Sequence, residues 1–212
     1  MCIVRGRAPK SFGDRALRTL AFRLNHCEIF RRLMNMRKRR QFSEGARYHV
    51  TARANRSEMI MKSNEVKELF INVLIRAKKK YSFSLENFCI MENHFHLIIK
   101  PAKGESLSRI MQWIMSVFAM ALNKRNGWRG HVWEERFFSR IIESFRAFME
   151  IYDYVDQNPV KACIAPCAED WPYGGIAWHR AGRRDLVDRW AALLVFFPNH
   201  AQLSVPSPGP AT

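Results

Sequence analysis

The sequence predicts an α+β fold: an antiparallel sheet carrying helices, followed by one further helix. Three observations predict it. Short stretches rich in β-formers recur at 48–54, 83–92, 94–100 and 137–143. Between them lie two longer stretches with apolar residues at helical spacing, each preceded by a serine. The order is strand, helix, strand, strand, helix, strand, and then a third serine-capped helical stretch.

The elements follow in turn. Tyr48-His49-Val50-Thr51-Ala52-Arg53-Ala54 alternates in character as a strand does, and Asn55-Arg56-Ser57 is a turn. Ser63 is the N-cap of a helix running to about Lys80, with Val66, Leu69, Phe70, Val73, Leu74 and Ala77 on its apolar face. Lys78-Lys79-Lys80 suits the negative end of that helix. The second strand runs from Phe83 to Glu92 and the third from His94 to Lys100, closed by Pro101. Ser106 caps a helix over 107–124, ended by Asn126-Gly127. The fourth strand spans 137–143. Ser144 caps the last helix, from Phe145 to about Gln157, where Pro159 stops it. This order is the ferredoxin-like βαββαβ arrangement, with helices on one face of the sheet and an additional C-terminal helix. Its third strand is central. Beyond Pro166 the pattern becomes irregular, and the Pro/Ser-rich stretch 204–212 reads as disordered.

The chain of 212 residues is long enough for one well-buried domain. Its divisions are expected as a basic N-terminal extension over 1–45, a catalytic domain over 46–178 and a C-terminal extension over 179–212. Residues 1–40 carry twelve Lys and Arg against Asp14 and Glu28, a local charge of +10, with a short amphipathic helix expected over 14–34. That segment is either a basic arm tracking phosphates or sequence ahead of a later start at Met34 or Met36. The net charge is +16, an excess of Lys and Arg that suits a polyanionic partner such as nucleic acid. No apolar run reaches the ~18–20 residues of a membrane span, and 190–197 is far too short. Arginines interrupt the N-terminus, so no signal-peptide core is expected there. The five cysteines form no CxxC pair, and Cys163 and Cys167 have no second pair nearby to complete a zinc site. They read as reduced cytosolic thiols.

Two clusters can carry chemistry. In His94-Phe95-His96 the side chains alternate, so both imidazoles share a face about 7 Å apart along the strand while Phe95 points into a core. Such a pair suits one divalent metal, although two hydrogen-bonded histidines on a wet sheet face would look the same. On the last helix, Tyr154 and Asn158 stand four residues apart on one face. A phenol can attack phosphorus, and an amide carbonyl can coordinate a hard cation such as Mg²⁺. The plainer alternative is a half-buried aromatic and a turn residue before proline.

Taken together, His94-Phe95-His96 and Tyr154-Val155-Asp156-Gln157-Asn158-Pro159-Val160-Lys161-Ala162 resemble the HUH single-tyrosine transposases, most of all the REP-associated tyrosine transposases. Tyr48-His49-Val50-Thr51-Ala52-Arg53, Met91-Glu92-Asn93-His94 and Gly130-His131-Val132-Trp133-Glu134-Glu135-Arg136-Phe137 match as well, in order, across about 46–178. The resemblance implies a transposase that cleaves and rejoins single-stranded or hairpin DNA through a 5′-phosphotyrosine intermediate. It implies Mg²⁺ or Mn²⁺ held by His94 and His96, Tyr154 as nucleophile, and Asn158 as the inferred third ligand. Tyr152 is the competing nucleophile, but it lies about 200° around the helix from Tyr154. The exchange conserves phosphodiester energy, and no glycine-rich P-loop is present. A phenol with a pKa near 10 is a poor nucleophile, so polarisation of the phosphate must assist it. The resemblance also implies a monomer or homodimer, located in the cytoplasm with the nucleoid.

The chain departs from that branch at Asp156 and Gln157, where His and Leu are usual, at Cys163, usually Gly, and at Glu92, usually Pro. Asp156 is expected to point away from Asn158 and to add negative charge near DNA. Arg125, Arg129 and Arg136, interleaved with Trp128, His131 and Trp133, suit phosphate neutralisation and base stacking, with Trp133 as a core anchor and Arg129 on DNA. Lys161 falls in the tyrosine motif as a further DNA contact, and Arg53 either binds a phosphate or caps the sheet. The alternatives to a transposase are a non-cleaving DNA-binding protein on the same fold and a metallohydrolase that activates water.

Overall fold

The computed structural model describes residues 42–183 and 185–188. The expected helix over 14–34, the apolar stretch 190–197 and the tail 204–212 lie outside the described residues. The elements are β1 Arg47–Arg53, α1 Asn64–Lys80, β2 Phe83–Ile90, β3 His94–Pro101, α2 Leu107–Asn126, β4 Phe138–Ile142, α3 Phe145–Asp156, α4 Asn158–Lys161 and α5 Gly175–Arg180. Among the described residues, no helix is long and apolar enough to cross a membrane.

The serines act as anticipated. Ser63 accepts from the Val66 N–H, Ser106 from Arg109 and Ser144 from Ala147, each satisfying one orphan donor of a first turn. Gly127 ends α2 in the left-handed conformation, with φ of 65°. β2 stops at Ile90 rather than Glu92 because the Met91 N–H already closes the hairpin onto the His94 carbonyl. Pro159 does not merely stop α3. It sits in the first turn of α4, where its fixed φ is suited and its missing N–H is no loss.

The sheet has the order β2-β3-β1-β4 with antiparallel neighbours, so β3 and β1 are central. On one face Val50, Leu97, Phe95 and Leu85 pack with Phe70 and Leu74 of α1 and Ile114 and Phe118 of α2. On the other, Cys89, Ile98 and Ile142 pack with Phe148 and Val155 of α3. The two helices of the βαββαβ unit therefore share one face, as its order anticipates, and the additional helix α3 takes the other. Strand alternation requires it, because α3 carries its own apolar stripe and the residues between the first set point the opposite way.

β2 contains a bulge between Leu85 and Asn87. The extra residue turns both Glu86 and Asn87 toward the α3 face. Glu86 accepts both its hydrogen bonds from Arg47 Nε, at 2.8 and 2.9 Å, and Arg47 in turn lies over the Phe148 ring. Asn87 Nδ2 donates to Asp156 Oδ1 at 2.9 Å.

The segment after Pro166 is more ordered than its sequence suggests. Ile90 N–H donates to Tyr173 O at 2.9 Å, Trp171 Nε1 to Ile90 O at 3.1 Å and Asp188 N–H to Leu85 O at 2.8 Å. These bonds cover the free edge of β2, which would otherwise offer unpaired backbone groups. Leu186 and Val187 are buried in the helix-pair core, so packing continues past residue 178, where the sequence placed the domain end. Gly175 lies so close to Asn87 that a Cβ there would collide with Asn87 Oδ1.

Candidate active site

β3 presents His94 and His96 toward α3, and Phe95 is fully buried on the opposite side. In register with β1, His94 faces Arg53 and His96 faces Thr51. His96 is 3% exposed and His94 is half-buried at the strand's start. Their rings meet edge to face at 5.0 Å.

Each ring is held at Nδ1. Asn93 Nδ2 donates to the Ser57 carbonyl at 3.2 Å, which leaves Asn93 Oδ1 to accept from His94 Nδ1 at 2.7 Å. That assignment places the His94 proton on Nδ1 and a lone pair on Nε2. His96 Nδ1 lies 3.0 Å from Nε2 of a third histidine, His49 on β1. His96 Nε2 is buried and has no hydrogen-bond partner among the described residues.

All three imidazoles are biased toward the neutral form. Burial, followed by the charge of Arg140, lowers the His49 pKa to about 4. Burial, followed by Arg53, lowers that of His94 to about 4. His96 falls well below the ordinary range, again mainly through burial and then through the two neighbouring histidines. Neutral imidazole is the form that ligates a metal. Among the described residues, no three His, Cys, Asp or Glu side chains converge on a metal-binding position.

α3 brings Tyr154 to this pair. Its ring stands edge-on to His96 at 5.5 Å and to His49 at 6.0 Å. Tyr152 instead lies against Phe148 at 5.7 Å. Asn158 Nδ2 donates to the carbonyls of Tyr154 at 2.7 Å and Val155 at 3.4 Å, closing the last turn of α3. Its amide nitrogen is thus committed to the backbone, and Oδ1 is the atom that suits a cation. Two imidazoles, one with a buried nitrogen that has no hydrogen-bond partner among the described residues, suit a divalent metal in donor type, as an amide oxygen does.

The basic residues divide by position. Arg53 is exposed beside His94, and Lys161 Nζ lies 4.8 Å above the Tyr154 ring centroid. Arg129 and Arg136 are exposed on a loop tied to the exit of β1, where Asn55 N–H donates to Val132 O and Glu134 N–H to Arg53 O. Arg125 belongs to the helix-pair layer, where its charge acts on Glu65 of α1. Trp133 is a core anchor as expected. Its Nε1 donates to Met115 O at 3.0 Å and its ring packs edge-on to Phe95 at 5.4 Å. Trp128 on the same loop is 50% exposed.

Asp156 corrects an expectation. It is buried against Asn87 rather than turned toward DNA, and burial raises its pKa to about 7 against the partial offset of the Asn87 hydrogen bond. Sequence reasoning also passed over His49, Asn93 and Arg140. The alternation of β1 put His49 opposite Val50, but only the pairing of β1 with β3 puts it beside His96. Arg140 stands across from His49 on β4.

The sequence model of the family described as Transposase IS200 like matches residues 42–158, more than half of the chain and a span that holds His94, His96, Tyr154 and Asn158. A Haemophilus influenzae protein assigned as a REP-associated tyrosine transposase is 23% identical over 152 residues, 67% of this chain and 85% of that protein. A solved structure of a REP-associated tyrosine transposase bound to a REP hairpin shares the fold with a TM-score of 0.60, at 23% identity over 74% of this chain and 91% of that one. A Deinococcus radiodurans protein assigned as a transposase aligns with a TM-score of 0.42, at 15% identity over 57% of this chain and 97% of that one.

Proposed function

Because the chain belongs to the family of IS200-like transposases, we propose that it cuts and rejoins single-stranded or hairpin DNA with Tyr154 as the nucleophile. The observation that carries this reading is the contact of the Tyr154 ring with His96, at 5.5 Å, beside a second histidine oriented by Asn93. His94, His96 and Asn158 Oδ1 would hold Mg²⁺ or Mn²⁺. A bound divalent cation supplies charge that polarises the scissile phosphate.

The remaining work falls to the chain's own groups. The Tyr154 oxygen attacks phosphorus, the bond to the 3′-oxygen breaks, and the 5′-phosphate stays on the tyrosine. The phenol gives up a proton and the 3′-oxygen gains one. A hydroxyl attacking in the reverse sense restores a phosphodiester. Asn158 anchors the last turn of α3 through the Tyr154 carbonyl and so fixes the nucleophile's approach. Lys161, over the Tyr154 ring, and Arg53, beside His94, are placed to meet the phosphate charge. Arg129, Arg136 and the exposed Trp128 suit a flanking single strand, through neutralisation and stacking. Arg125 would meet DNA only where it passes the helix-pair side. Tyr154 reaches the histidines of its own chain, which supports action as a monomer. The DNA substrate places the protein in the cytoplasm with the nucleoid.

The test compares the native chain with Tyr154→Phe on hairpin-bearing single-stranded DNA with Mg²⁺. The native chain should yield a covalent protein–DNA adduct and the variant none. Cleavage that survives in the variant sinks the tyrosine mechanism and points to metal-activated water. Salt-sensitive binding without cleavage by either chain would make this a DNA-binding protein on a transposase fold.

A further inference from the structure

We infer that His49 is a positioning residue that accepts the His96 Nδ1 proton and so presents His96 Nε2 to the metal; the inference rests on the metal-dependent reading above. His49 is fully buried on the strand next to His96, and its Nε2 lies 3.0 Å from His96 Nδ1. The two rings are nearly parallel, with 10° between planes and centroids 5.2 Å apart, so the contact is fixed in angle as well as distance.

One proton must lie between those nitrogens, since each neutral imidazole has one donor and one acceptor. If His49 donated it, the His96 proton would sit on Nε2, and that nitrogen would have no lone pair to offer a metal. If His96 donates it, Nε2 carries the lone pair, on a ring that stands 5.5 Å from that of Tyr154. Only the second arrangement makes the pair alike, because Asn93 Oδ1 already accepts the His94 Nδ1 proton at 2.7 Å. Both ligands then have an Nδ1 acceptor behind them, the arrangement that orients metal-bound histidines and raises their basicity.

The test uses the full chain and two substitutions that separate shape from hydrogen bonding. His49→Phe keeps a ring against His96 and Tyr154 but removes the acceptor. His49→Gln loses the ring but places an amide oxygen near the former Nε2. Mn²⁺ affinity is read by electron paramagnetic resonance of the free ion, with His94→Ala as control and thermal unfolding followed in parallel. The expected result is a roughly 10- to 100-fold loss of Mn²⁺ affinity in His49→Phe, with His49→Gln close to native. Equal affinity in native and His49→Phe overturns the inference, as does a His49→Gln loss matching that of His49→Phe. Failure of the underlying reading looks different: Mn²⁺ binding that is absent from the native chain, or indifferent to His94→Ala, removes the metal site and the inference with it. Should His49→Phe not fold, nitrogen-15 spectra of the native chain with Mg²⁺ decide the matter. A His96 proton on Nδ1 supports the inference, and a proton on Nε2 refutes it.

Discussion

On one face of the sheet Val50, Phe95 and Leu97 pack against Phe70 and Phe118; one residue along the same strands, His49 and His96 face α3. The first face is apolar along its strands and stabilises chiefly through burial. The second buries His49, Thr51, Glu86, Asn87, His96 and Asp156; among the described residues only Lys67 is a buried polar or charged side chain elsewhere. Each such group needs a partner to offset its lost hydration. Arg47 serves Glu86, Asn87 serves Asp156, and His49 serves His96. The contrast teaches where this chain can tolerate chemistry. Two helices give the sheet enough core on one side for the other side to carry polar burial.

The contrast predicts a graded set of effects. The largest belongs to the apolar face: Phe95→Ala should cost about 3–5 kcal/mol in urea unfolding. A loss below about 1 kcal/mol would break the claim that stability resides there.

Next comes the pH dependence of the polar face. The Asp156 pKa is raised from 3.8 to about 7, so the folded chain holds this proton more tightly than the unfolded chain does. Its contribution is therefore most favourable at low pH, declines as pH rises from 3.8 to about 7, and is flat above. The native chain should lose up to about 4 kcal/mol over that window relative to Asp156→Asn. Parallel stability–pH curves for the two proteins would show that the carboxyl is not held in a dry site.

Gly175→Ala probes the seam between β2 and the C-terminal segment. The new methyl meets Asn87 Oδ1, and a destabilisation of about 1–3 kcal/mol is expected. The same substitution should cost less in an Asn87→Ala background, which removes the colliding atom; equal costs would place the strain elsewhere. The smallest effect is a gain. Cys163 holds φ of 57°, a conformation unfavourable to any side chain. Cys163→Gly should raise stability by about 0.5–1 kcal/mol, read as a higher urea midpoint at unchanged slope.

Much of this was legible in the chain. The four strands, the three serine caps and the Gly127 stop fall within a residue or two of their sequence positions, because caps and alternation are local signals. The family resemblance, in which this position is usually glycine, pointed to a strained turn at Cys163, and its φ is positive. The structure also brings the rings of His94, His96 and Tyr154 into contact in turn. Leu186 and Val187 were not legible as core, since two apolar residues in an irregular stretch have no period. Asp156 was misplaced because a helix has no marked neighbour until the β2 bulge turns Asn87 toward it.

By itself the sequence determined which residues share a face, since side-chain direction follows the strand period of two and the helical period of 3.6. His94 with His96, and Phe95 against them, needed nothing more. Only the tertiary structure decided which strands are neighbours and in what register. That choice is made by contacts distant in sequence, and here 47 residues separate His49 from the histidine it touches. It also decided that α3 covers the face opposite the other two helices, which is what brings a tyrosine to the histidine pair.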